Sequence, residues 1–208
     1  MRKKILYVAG LAALTAVYAA TPAATPAAPA PSTLTFPTYG FRINSFETPT
    51  NSPILGAVQM SFPPMPLPSG NNQYFPPSVN VMIVSSDKGM DDYVTSERLG
   101  LTTRGFSIVK NGDDTSVKNE WRIEYIGVVS NIAMHWYAHA VLSNGRVYIA
   151  TGGVPDEMWP QYGDKIKACV NSLQATGTAV TTPPPALSLA SPGAPVPAAK
   201  APTATTAK

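Results

Sequence analysis

The chain has 208 residues, of which 22 are proline, two histidine and one cysteine, and only 13% carry a charge. That length suits one domain with flanking segments, and a charged fraction near half of the usual ~25% sets part of the chain apart from an ordinary globular surface. The formal charge of +3 resides in Arg2, Lys3 and Lys4; from residue 20 onward basic and acidic side chains balance at 12 each, which excludes a basic footprint for nucleic acid.

Residues 1–19 have the three parts of a secretory signal. A basic start precedes the apolar run Ile5–Leu14, too short to cross a bilayer core of ~30 Å. The short side chains of Val17 and Ala19 place cleavage after Ala19. The expectation is export to a periplasm or beyond the cell, with no membrane span left once the signal is removed. Residues 20–33 are a Pro/Ala-rich linker with four prolines, and 177–208 a Pro/Ala/Thr-rich tail with seven prolines and no aromatic residue. Such segments bury too little apolar surface to offset the entropy of ordering, so both read as disordered spacers around a domain at 34–176.

Within 34–176 the periodicity reads as strands with two or three helices. LTFPTYGFRINSF (34–46) predicts a short hairpin about Pro37–Gly40. ILGAVQMSF (54–62) predicts a third strand, 63–77 a long proline-punctuated loop, and VNVMIV (79–84) a strand buried on both faces. Asp91 and Asp92 open a helix to about Leu99, where acidic side chains complement the helix dipole. FSIVK (106–110), a turn at 111–116, and Trp121, Ile123 and Tyr125 alternating with Arg122 and Glu124 make an antiparallel pair. Asn144-Gly145 between MHWYAHAVL and RVYIATG is a tight hairpin signal, since both residues tolerate positive φ. Pro160 then starts a helix to about Gln174 that lines up Trp159, Tyr162, Ile166, Cys169, Val170 and Leu173 on one stripe. Cys169, alone and late in that stripe, reads as a buried, inert thiol.

His135 and His139 are the most tempting chemical pair. On a helix they would share a face and could grip one zinc ion, whereas on a strand four residues span ~13 Å and the rings cannot meet at one metal. The hairpin favours the strand. His135, Tyr137 and His139 then form a row on the more polar face, a candidate contact surface, with Met134, Trp136, Ala138, Ala140 and Leu142 toward the core. Asp113-Asp114 sits in a turn and Asp156-Glu157 before a helix, where acids are favoured locally, and the ligand spacing of a calcium loop is absent. No Gly-x-Ser-x-Gly elbow, phosphate-binding loop or Cys-x-x-Cys occurs. No catalytic residue, metal ligand or cofactor is assigned.

The order of YGFRI, VNVMIV, DDYVTSERLG, FSIVK, WRIEYIG, the hairpin HWYAHAVLSNGRVYIATG and the final helix DKIKACVNSLQ resembles the fold shared by PsbP, Mog-type Ran-binding proteins and DcrB-like exported bacterial proteins. The resemblance covers 34–176 and implies an α+β fold: a central antiparallel sheet of about six strands flanked by helices on both faces, an α/β/α sandwich. It also implies docking onto other proteins, and no residue role is carried over. Two functions follow as expectations. One is an exported, non-enzymatic binding or assembly module whose partners are envelope proteins. The other is a small-ligand or metal-binding protein, or an enzyme, using a cleft near the His135/His139 face.

Overall fold

The computed structural model describes residues 32–54, 57–69 and 73–177. The expected signal segment, the linker up to Pro31 and the tail beyond Gly177 lie outside the described residues. The chain enters through β1 (Ser32–Phe36) and β2 (Phe41–Ser45), joined by the expected turn, in which Tyr39 and Gly40 donate to the Phe36 carbonyl. β2 buries Phe41, Ile43 and Ser45 and exposes Arg42 and Asn44, the period of two that a half-covered strand requires.

The single strand expected over 54–62 is instead a hairpin of β3 (Thr50–Ile54) and β4 (Ala57–Ser61). Pro53 is tolerated because β3 is an edge strand with a partner on one side only. The proline-rich stretch carries a two-residue ladder, β5 (Met65–Pro66) with β6 (Tyr74–Phe75). In β7 (Ser78–Ser85), full burial is reached on one face only: Val79, Val81 and Ile83 are buried, while Asn80, Met82 and Val84 are half-buried.

Helix α1 (Met90–Thr103) outruns the expected segment, because Gly100 is absorbed and the stop comes at Arg104 and Gly105, the latter at φ 81°. Strand β8 (Ser107–Asp114) also runs on through what reads as a turn. Asn111 takes φ 60° and the register shifts between Ile108 and Asp113, a bulge that returns Asp113 toward Arg98 (Nε–Oδ2 2.6 Å) and the Trp121 indole N–H (2.8 Å). β9 (Glu120–Val129), β10 (Ile132–Ser143) and β11 (Arg146–Pro155) follow as long antiparallel strands. The chain reverses at Asn144 (φ 50°) and Gly145 (φ 71°), as the Asn-Gly signal predicts.

After a 3-10 turn over Asp156–Met158, α2 (Trp159–Asn171) buries Tyr162, Ile166, Cys169 and Val170 on one stripe, with Pro160 in its first turn. It ends before the expected Gln174, since Ser172 Oγ donates to the Cys169 carbonyl (2.6 Å) and accepts from the Asn44 amide (2.7 Å). Gln174 then joins a last strand, β12 (Gln174–Ala175).

These strands form an antiparallel sheet in the order β3-β4-β7-β11-β10-β9-β8 and a smaller one in the order β1-β2-β12. The large sheet has seven strands rather than about six, and the class is α+β. The register of β10 against β11 sets Tyr137 opposite Gly152 and Trp136 opposite Gly153. A Cβ on Gly152 would meet Ile166 Cγ2 of α2 at 2.5 Å, and one on Gly153 would meet Trp136 Cδ1 at 2.2 Å. Two neighbouring glycines thus admit α2 on one side of β11 and an indole on the other. On the Trp136 side, Tyr125 stacks on Trp136 (5.3 Å), Phe106 meets it edge-on, and Tyr93 of α1 meets Trp121 edge-on at 6.1 Å. The Cys169 thiol is buried and pushed up to about 12 by desolvation, so it stays protonated.

Candidate functional site

His135, Tyr137 and His139 alternate along β10, and the structure brings all three to the side that α2 covers. None of them lies open: His135 is 8% exposed, Tyr137 9% and His139 2%. Each ring is held separately, and the two imidazoles share no partner. The expected core residues Met134, Trp136, Ala138 and Ala140 are buried on the other side, and Leu142 is half-buried.

His135 stacks flat on Trp159, the first residue of α2, at 3.8 Å and 5° between planes. Its Nδ1 lies 2.8 Å from Asp156 Oδ1 and its Nε2 2.9 Å from Glu124 Oε1. An imidazolium donates to both carboxylates at once, whereas a neutral ring satisfies only one. Glu124 also accepts from Lys167 Nζ at 2.7 Å, and Lys167 lies 5.6 Å from the centre of the Trp159 ring. Burial alone would raise the Glu124 carboxyl, but the hydrogen bonds and charges of Lys167 and His135 outweigh it and hold it below the usual carboxylate range.

One turn further along α2 a second cluster forms. His139 Nε2 approaches Glu120 Oε2 at 3.1 Å, Nδ1 lies 3.4 Å from the Val170 carbonyl, and Arg122 bridges Glu120 and Asn171. Asn171 also accepts from the Tyr137 hydroxyl at 3.0 Å. Desolvation, reinforced by the Arg122 charge, depresses the His139 imidazole below its ordinary value despite the opposing pull of Glu120. The unfolded chain takes up that proton near 6.5 while the folded one resists. Stability carried by neutral His139 is therefore complete above about pH 6.5 and lost as pH falls through the depressed folded value. Urea titrations are expected to show unfolding free energy declining with acid from that point, and His139→Gln to flatten the decline; an unchanged slope in the variant rejects the assignment.

Chemically, this arrangement clamps a helix to a sheet. Every acid and base in it is engaged by another protein group, and among the described residues no serine, threonine or cysteine side chain is hydrogen-bonded to either histidine. Nor do three or more His, Cys, Asp or Glu side chains converge in a manner suited to a metal ion, among the described residues. Of the two acidic pairs noted in the sequence, Asp113 binds Arg98 and Trp121, Asp114 holds the Ser116 amide (2.8 Å), Asp156 holds His135, and Glu157 holds Ser69 across the proline-rich loop (3.1 Å). Glu124, Trp159 and Lys167 were not legible as site residues. Trp159 and Lys167, two turns apart on one predicted helix, carried a faint signal, whereas Glu124 needed the β9–β10 register.

No family model matches the sequence, and no curated protein matches it significantly. Among the described residues no helix is long and apolar enough to cross a membrane. The fold is similar to several solved structures. One is the solution structure of cyanobacterial PsbP (CyanoP) from Synechocystis, at 10% identity, covering 75% of this chain and 97% of that one, with a TM-score of 0.49. LpqN of Mycobacterium tuberculosis, described as involved in cell envelope biogenesis, is 12% identical over 64% of this chain and 82% of its own, at a TM-score of 0.47. A Pseudomonas aeruginosa protein of unknown function, PA94, is 17% identical over 66% of this chain and 90% of its own, at 0.43. The resemblance to PsbP read from the order of elements is thus met again among the solved structures to which this chain is similar.

Proposed function

We propose that the chain is an exported, non-enzymatic module of the cell envelope that acts through protein–protein contacts, with one helix backing each face of its large sheet. The observation that carries this reading is the closed network under α2. Both nitrogens of His135 are taken by carboxylates and His139 is held between Glu120 and the Val170 carbonyl, so neither ring is poised toward a reacting group. Contacts of α2 with the His139 side and of Tyr93 in α1 with Trp121 support the sandwich arrangement. The signal-like start supports export, and the proline-rich arms support reach on either side of the domain.

The test is complementation. A scaffold role predicts that His135→Asn, folded as judged by a cooperative thermal transition and an unchanged far-ultraviolet circular dichroism spectrum, restores the phenotype of a deletion strain as well as the unaltered protein does. Photo-cross-linkers placed in turn at the exposed residues Leu99, Val117 and Val128 should give discrete adducts with envelope proteins from a subset of positions. A folded His135→Asn protein that fails to complement, together with a scan free of adducts, refutes the reading and returns the imidazole to chemistry.

A further inference from the structure

Strands β9 and β10 outrun their neighbours at one end. β8 pairs with β9 no further than Ser107 opposite Ile126, and β11 pairs with β10 no further than Pro155 opposite Met134. Two rungs, Val128 opposite Ala133 and Val129 opposite Ile132, therefore have no strand on either outer side among the described residues. They close in a turn of Ser130 (φ 51°) and Asn131 (φ 65°). Non-glycine residues keep such angles only where the fold fixes them, so the tip is preshaped. From Tyr125 to Met134 the chain has no charged side chain. Residues directly opposite share a face. Val128, 68% exposed, and the exposed Ala133 thus lie on one face, and half-buried Val129 and Ile132 on the other. Exposed Ile126 continues the first face toward the sheet.

A projecting ribbon that is uncharged and apolar on two faces constrains what can cover it. A second copy adding along β9 finds only Val128 and Val129 open, because β8 holds Ile126 and Phe106 lies where a Cβ on Gly127 would meet its Cδ1 at 2.2 Å. Two residues fall short of the three or so of even a short strand. A protein surface that reads one face leaves the other apolar face in water. The boundary of a bilayer surrounds whatever enters it. From Gly127 to the turn is about three residues, ~10 Å at ~3.3 Å each, which matches the ~5–10 Å that interfacial elements reach. The open backbone edges bar the hydrocarbon centre, where nothing would satisfy them, and suit the head-group boundary, where water and head groups do. Charge adds no preference: at the base of the ribbon Asp156 follows Pro155 on one side, and on the other Arg104 lies 5.6 Å from the centre of the Phe106 ring.

We propose that the β9–β10 hairpin end is a lipid-contact tip, with Val128, Val129, Ile132 and Ala133 entering the head-group boundary of a bilayer. Ser130 and Asn131 bond the ester carbonyls and water at that depth. The tip gives the chain an attachment by contact, without a span. It rests on the geometry of the ribbon and not on the envelope reading, and vesicles contain no protein, so failure here leaves the complementation test untouched.

The experiment is co-sedimentation with vesicles of pure phosphatidylcholine and of equal parts phosphatidylcholine and phosphatidylglycerol. It uses the chain from residue 20 onward, which keeps every described residue and removes the apolar run at 5–14, itself able to bind lipid. Expected is half-saturation on the order of 1 mM lipid, weaker than the ~0.1 mM that one myristoyl chain gives. It should agree within about twofold between the two compositions and between low and high salt, because no charge drives it. Val128→Asp, checked for an unchanged thermal midpoint, should raise the half-saturation concentration by about tenfold or more. Ser130→Cys carrying an environment-sensitive dye, with Cys169 buried and unlabelled, should shift its emission to the blue on vesicles. The same dye at Val117→Cys, before the other end of β9, should not. No sedimentation up to about 10 mM lipid, binding to the anionic vesicles alone, or an equal dye response at both positions overturns the tip, and the first two do so without reliance on any variant. Lipid-free self-association that Val128→Asp abolishes would also overturn it, in favour of a second copy.

Discussion

Trp136→Ala is expected to destabilise the domain by about 3–5 kcal/mol, the cost of emptying a buried aromatic site whose neighbours cannot fully collapse. Trp136 is 3% exposed, stacked on Tyr125 and met edge-on by Phe106, so its loss removes the centre of an aromatic cluster. Gly153 supplies the sharper part of the test. An alanine methyl there would lie 2.2 Å from Trp136 Cδ1, so Gly153→Ala alone should cost about 1–3 kcal/mol through overpacking. In the Trp136→Ala background the same methyl enters vacated space and also lowers the conformational entropy of the unfolded chain, so its effect should shrink to nearly zero or turn stabilising. Urea denaturation of the four proteins gives the coupling directly, and strictly additive effects would show that the indole does not rest on Gly153.

Ile166→Ala, on the other side of the same strand, should cost about 2–5 kcal/mol. Ile166 is fully buried, and its Cγ2 occupies the notch that Gly152 leaves, with Val79 and Val170 completing the wall. Gly152→Ala would place a methyl 2.5 Å from that Cγ2 and push α2 outward. Because Trp159 and Lys167 ride on α2, this displacement should also loosen the stack on His135 and the Lys167–Glu124 pair. Near-ultraviolet circular dichroism should therefore lose Trp159 signal in Gly152→Ala and recover part of it when Ile166→Ala is added. Retention of the full signal in Gly152→Ala would mean that α2 tolerates the extra methyl by a local shift.

Local signals told most of the architecture. The reversal at Asn144-Gly145, the stripe of α2 and the alternation in β9 are properties of a few adjacent residues, and each can be read from periodicity and turn chemistry. What escaped depends on partners far along the chain. The strand over 50–54 goes unseen because its place at the sheet edge is set by distant pairing, Asn111 reads as a turn until Arg98 and Trp121 draw Asp113 back into the ladder, and Gln174 reads as helix until Arg42 claims it. The candidate site follows the same division. His135, Tyr137 and His139 were correctly placed on one side of a strand, but their cover by α2, and the roles of Glu124, Asp156, Trp159 and Lys167, arise from pairings no window of sequence contains.

The small sheet has a mechanical consequence. β1 and β12 flank β2 and both run antiparallel to it, with Ser32 opposite Ser45 and Ala175 opposite Phe41, so the chain enters at one end of β2 and leaves at the other. Tension applied between the two flanking segments would run along the strand axis and load these rungs together in shear rather than peel them one at a time. The clamp is lopsided, five residue pairs on the entry side and two on the exit side. Under such a pull the exit strand should give way first, freeing the segment after α2 while the large sheet stays whole.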